Sequence, residues 1–304
     1  MRRLTWILAG YDDNKYAQKA DEFGETIKGE YMTSADHNTA IAPEAAGAQR
    51  RVRSIAPTAI APLPDRIRAW LVHIFTMSGM AFAALATLAL INQDIAWMWL
   101  WLGIALIVDG VDGFFARKYR VKEVLPWFDG GILDIAIDYI TWTFIPAIFM
   151  YTQLDMGPKP LAGILTVLVL TSSTLCYANE NWKSVDYYFY GFPAAWNIVA
   201  VILYVLQTGP YANVFWVALF IALTIVPFYW THPFRVKRFM AINLASIFVW
   251  IAATGALVAI FPQQPLWLLI VFVVSGGWFL MTGLVRTLTG PDRPRRRLRR
   301  KRTM

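Results

Sequence analysis

The sequence predicts an all-α, polytopic membrane protein with about eight transmembrane helices and both termini in the cytoplasm. Three observations carry that prediction. The 304-residue chain is 57% hydrophobic and only 16% charged, too apolar for a water-soluble domain and too long for one span. From Arg66 onward eight apolar stretches recur, each about 20 residues long and able to cross a hydrocarbon core of about 30 Å. Lys and Arg gather on alternate connections between those stretches instead of spreading evenly.

Residues 1–65 stand apart as a polar segment rich in Ala, Asp, Glu, Lys and Gly that closes on a proline-rich run ending at Pro64. They are expected to form a disordered tail, with a short helix around residues 14–29. Arg2 and Arg3 precede an apolar Leu4–Ala9, but this core is too short for a signal peptide and no cleavage site follows. The spans are expected at 69–91, 95–117, 131–151, 160–178, 189–207, 211–230, 239–261 and 265–288, within a domain covering 66–290. Residues 291–304 form a basic tail.

Short connections at Asn92–Asp94, Thr152–Lys159, Thr208–Pro210 and Pro262–Gln264 hold a single basic residue, Lys159. The alternate segments Arg117–Asp129, Asn179–Tyr188, Thr231–Arg238 and Arg286–Met304 hold four, one, three and nine. The positive-inside rule therefore puts the latter set, with both termini, in the cytoplasm. The basic tail directly follows a span and suits anionic lipid headgroups, so no nucleic-acid partner is expected. One cysteine, Cys176, excludes an intrachain disulfide. His37, His73 and His232 are scattered without metal-ligand spacing.

Four acids interrupt this apolar pattern. The second span carries Asp109-Gly110-Val111-Asp112-Gly113, followed by Ala116 and Arg117; twelve residues later the third opens with Gly130-Gly131 and carries Asp134 and Asp138. On helices, Asp109 and Asp112 share one face, as do Asp134 and Asp138. Span direction puts Asp109 and Asp138 about 12 Å inside the cytoplasmic edge, with the other two shallower. An unpaired acid at mid-bilayer costs about 2.5–3.5 kcal/mol on insertion scales. A divalent cation compensates four of them, and an all-oxygen site suits magnesium or manganese. Gly110 and Gly113 leave room beside the second span, and Ala116 keeps its face small. Arg117 supplies a planar fork for phosphate, and the third span's N-terminus favours an anion. The pattern describes a metal-dependent site for a diphosphate at the membrane surface. A lone intramembrane Asp is often structural and paired glycines often serve close helix packing; four acids in this setting favour metal chemistry.

The run Asp109-x2-Asp112-Gly113-x2-Ala116-Arg117-x12-Gly130-x3-Asp134-x3-Asp138 resembles the signature of the CDP-alcohol phosphotransferases. The gap between Arg117 and Gly130 is longer than most of that family carries. It resembles a bacterial branch that uses choline, as do Val124–Trp127, Asp138-Tyr139 and Gly191–Asn197. The resemblance covers about residues 66–290. It implies an integral membrane enzyme that passes the phosphatidyl group of CDP-diacylglycerol to choline and releases CMP. It further implies two manganese or magnesium ions held by Asp109, Asp112, Asp134 and Asp138, with Asp138 as the base. Gly110, Gly113, Ala116, Arg117 and Gly130 are implied to hold the CDP portion, and the protein to be a homodimer in the bacterial inner membrane.

Choline's quaternary ammonium needs aromatic faces and an acid. Glu180, Trp182, Asp186, Tyr187, Tyr188 and Tyr190, on one cytoplasmic segment, are the candidates, against the alternative that these aromatics form an interface belt. Two other functions compete. The acceptor is serine, inositol or a glycerol phosphate in one, although no basic cluster for a phosphorylated acceptor occurs within the later spans. A cation transporter is the other, although the acidic pattern occurs once and is not repeated in a second half.

Overall fold

The computed structural model describes residues 61–179, 184, 186–226 and 228–291. The expected helix at 14–29 and the basic tail beyond residue 291 lie outside them. Six helices are long and apolar enough to cross a membrane, and two shorter apolar helices accompany them.

Helix α1 (Leu63–Ile91) starts where Pro62 and Pro64 set its first turn and Asp65 favours the helix N-terminus. Its buried stripe is built of small residues, Ala69, Gly79, Ala83, Ala86 and Ala89, which let it lie closely along α2 (Ile95–Lys118). The buried stripe of α2 is Met98, Leu102, Ala105, Val108 and Asp112. Steps of three and four residues thus carry one acid into the helix interface. Outward faces expose Ile107, Val167 and Val274, each at 59% or more, as a lipid-facing surface requires.

The twelve residues between Arg117 and Gly130 are structured. Arg120 turns the chain in the left-handed region, and a one-turn helix α3 (Val121–Val124) follows. Val121 and Leu125 are buried against Ala69 and Val72 of α1. The long gap therefore adds an apolar plug under α1. Asp129 then caps α4 (Gly130–Asp138), accepting from the amides of Gly131 at 2.9 Å and Ile132 at 3.4 Å.

The third span is continuous from Gly130 to Gln153 but not uniform. A π-helical turn, Tyr139–Phe144, separates α4 from α5 (Ile145–Gln153). Pro146 has no N–H to offer the Trp142 carbonyl and crowds it, and the widened turn absorbs both effects. Thr141 donates to the Ile137 carbonyl at 3.0 Å, and Thr143 to that of Ala194 at 3.2 Å.

Helix α6 (Lys159–Ala178) matches its expected span. The fifth and sixth spans are shorter than expected: α7 covers Trp196–Val205 and α8 Pro210–Leu223. Two three-residue strands stand beside the shortened helices, β1 (Tyr188–Tyr190) antiparallel to β2 (Tyr229–Thr231), with Phe189 opposite Trp230. Gly191 and Ala194 take positive φ, and Pro193 bars helix at Phe192. The Gly191 amide donates to the Phe228 carbonyl and the Phe192 amide to that of Leu223, both at 2.9 Å, so the non-helical backbone is satisfied within the protein. Helices α9 (Met240–Ala259) and α10 (Leu266–Thr289) complete the fold. The β2 strand lies against α10 so closely that a Cβ on Gly283 would come within 2.4 Å of the Tyr229 carbonyl oxygen.

Candidate metal and phosphate site

Asp109 and Asp112 from α2 and Asp134 from α4 meet. One carboxylate oxygen from each lies within 4.8 Å of the others. Asp112 is 8% exposed, and its Oδ2 accepts from the Thr76 hydroxyl of α1 at 2.9 Å. Three negative groups so close repel one another strongly in a low-dielectric setting, and hard oxygen donors in such a group fit a divalent cation. Asp138 lies one turn further along α4, half-buried beside the π turn and outside this group of three. It is within electrostatic reach of Tyr177, at the end of α6, as is Asp109.

The small residues divide by role. A Cβ on Gly110 would meet open space, so the backbone of α2 is approachable there. One on Gly113 would lie 3.3 Å from a guanidinium nitrogen of Arg117, whose exposed side chain folds back over it. Ala116 packs at the edge of the Ala69–Val121 cluster. Gly130 was expected to let an anion approach; instead its Cα faces the His73 ring of α1, and a Cβ would come within 2.8 Å of Cε1. His73 is itself buried, packed on Phe128 with ring centroids 4.3 Å apart. Gly130→Ala is therefore expected to cost about 1–3 kcal/mol, read as a lowered unfolding midpoint in detergent.

The expected choline segment is placed in part, since Glu180 and Trp182 lie outside the described residues. The Asp186 carboxylate accepts from Arg286 Nε at 2.6 Å and from its terminal nitrogen at 3.2 Å, and Ser184 also donates to it. The Arg286 guanidinium lies 4.2 Å from the Tyr229 ring centroid and 5.5 Å from that of Tyr188. Asp186 and Tyr188 thus face a cation supplied by the chain itself, while Tyr187 and Tyr190 are exposed. Sequence reasoning counted Arg286 with the basic tail, yet it is 4% exposed. Thr76 has no role in the sequence pattern, and His73 is set aside there only for want of metal-ligand spacing. A polar residue on the small-residue stripe of α1 was the available signal for both.

An α-helical membrane domain with a carboxylate cluster where two spans meet is the frame of an integral-membrane phosphotransferase. A family model described as CDP-alcohol phosphatidyltransferase matches residues 70–230, and the chain belongs to that family. Curated relatives share the printed name phosphatidylcholine synthase. That of Pseudomonas aeruginosa is 48% identical over 201 residues, 66% of this chain and 83% of the relative. That of Agrobacterium fabrum is 39% identical over 217 residues, covering 71% and 90%. That of Borreliella burgdorferi is 34% identical over 178 residues, covering 59% and 76%.

Proposed function

We propose that this protein is a phosphatidylcholine synthase, transferring the phosphatidyl group of CDP-diacylglycerol to choline with release of CMP. The convergence of Asp109, Asp112 and Asp134 within 4.8 Å, in a chain of this family, is the observation that carries the reading. These three, joined by Asp138, would hold two manganese or magnesium ions, which when bound neutralise diphosphate charge and polarise the phosphorus.

The remaining roles belong to the protein's own groups. Arg117, folded over Gly113, offers its guanidinium to the diphosphate. Gly110, with open space at its Cβ position, lets the nucleotide approach the backbone of α2, and Ala116 and Gly130 keep neighbouring contacts tight. The choline oxygen forms a bond to the phosphatidyl phosphorus as the bond from that phosphorus to the CMP oxygen breaks. Asp138 takes the hydroxyl proton. Asp186 and Tyr188 are held by Arg286, and the exposed Tyr187 and Tyr190 border the approach of choline. The charge asymmetry of the connections supports a site facing the cytoplasm from the bacterial inner membrane, and the family resemblance supports a homodimer.

Purified protein given CDP-diacylglycerol, manganese or magnesium, and isotope-labelled choline, serine or inositol is expected to label phosphatidylcholine alone. Incorporation of serine or inositol in place of choline overturns the acceptor assignment. Absence of any metal-dependent CMP release overturns the reaction.

A further inference from the structure

We infer that Tyr139 and Tyr177 form the seat for the acceptor's quaternary ammonium, a specificity site beside the carboxylates; the inference rests on the phosphatidylcholine synthase reading. Tyr139 follows Asp138 and opens the π turn, and its hydroxyl donates to the Leu170 carbonyl of α6 at 3.0 Å. Tyr177 is in the last turn of α6 and half-buried. The two rings meet edge to face, with centroids 5.6 Å apart and planes at 73°. The Tyr139 hydroxyl thus ties one ring to α6, and the edge-to-face contact sets the Tyr177 ring against it as a corner. Asp138 and Asp109 lie within electrostatic reach of that corner.

A trimethylammonium group has no N–H to donate. It binds through aromatic faces and through Coulomb attraction to acids in a partly dehydrated setting. Two groups that combine acids with packed aromatic rings bear on this choice. One consists of Asp186, Tyr188 and Tyr229, and Arg286 already fills it. The other is the Tyr139–Tyr177 corner, on which no Lys or Arg stacks among the described residues. Choline's hydroxyl is two carbons from its nitrogen, and Tyr139 of the corner directly follows Asp138 in the chain. Recognition and deprotonation then fall to neighbouring groups, with the π turn joining them.

The test compares wild type, Tyr177→Leu, Tyr139→Leu and Tyr177→Phe in kinetics with choline and with its uncharged isostere 3,3-dimethylbutanol. Each Leu variant is expected to raise the choline KM about tenfold or more. The CDP-diacylglycerol KM should hold, and the preference for choline over the isostere should shrink. Tyr177→Phe, which keeps the ring, is expected to recover most of that loss. A manganese-dependent rise in melting midpoint certifies folded variants. If a Leu variant fails to fold, tetramethylammonium inhibition of wild type and Tyr177→Phe decides the matter. Competition with choline alone supports the seat; inhibition that does not compete with choline overturns it. An unchanged choline KM in the Leu variants, or equal losses for choline and the isostere, also overturns it. Failure of the wild type to use choline at all strikes the parent reading instead.

Discussion

Asp134→Asn is expected to lower CMP release by about 10³-fold or more, a barrier increase of roughly 4 kcal/mol. The carboxylate is one of three whose oxygens lie within 4.8 Å of each other, so the substitution removes a charged donor from the group. It also removes two repulsions, each worth about 3 kcal/mol at an effective dielectric constant of 20. Loss of a ligand and loss of the fold therefore predict opposite things for the metal-free protein. If the acids are there for a cation, the metal-free variant melts at or above the wild-type midpoint, and the rise that manganese gives the wild type disappears. A variant that melts lower without metal and keeps the manganese-dependent rise assigns Asp134 a structural role. Asn is the informative replacement because it preserves shape and hydrogen-bonding capacity while discarding the charge.

Much of this site was legible in the sequence because helix period converts spacing into position. The stripe Met98, Leu102, Ala105, Val108 carries Asp112 into the α1–α2 interface, and Asp134 stands four residues into α4, inside the span opened by two glycines. Spans one to four and the last two lie within a few residues of expectation, apart from the longer start of α1, since length and apolarity decide them. The fifth and sixth could not be read in the same way. Residues 188–190 and 229–231 are aromatic-rich, a composition that suits the end of a span as well as a strand. The strands Tyr188–Tyr190 and Tyr229–Thr231 follow from pairing between segments about 40 residues apart, together with local breaks at Gly191 and Pro193. The π turn after Asp138 has a local cause in Pro146, but its consequence, the corner with Tyr177, requires α6 to be in place. Long-range partners were the least accessible of all. Thr76 stands 36 residues from Asp112, and no periodicity in either helix names the other. Asp186 read as an acid free to face choline because the cation that meets it comes from a helix 100 residues later.

That cation gives the largest expected effect on stability. Arg286→Ala is expected to destabilise the protein by about 3–5 kcal/mol, because it leaves the Asp186 carboxylate without its charged partner. Side-chain exposures of 5% for Arg286 and 14% for Asp186 put the pair beyond the weak regime of surface ion pairs. The guanidinium also bridges the Tyr188 and Tyr229 rings, so its removal loosens both strands from α10. The unfolding midpoint in detergent should fall by on the order of 10 °C. Asp186→Leu combined with Arg286→Met should recover much of that, since a buried pair can be exchanged for apolar packing at little cost. Acid supplies a second reading of the same contact. Burial pushes the Asp186 carboxyl up, but hydrogen bonds from Arg286 and Ser184 outweigh burial and hold it below the ordinary carboxylate range. A carboxylate depressed in the folded state adds stability above its unfolded value, near 4, and loses it as pH falls through the lower folded value. The wild-type midpoint should therefore drop on acidification below about pH 4, and Arg286→Ala should lack that part of the drop. Equal acid sensitivity in the two proteins would mean that the pair contributes little. In that case the hydrogen bonds of the strands and the close approach of Tyr229 to Gly283 hold the ribbon without it.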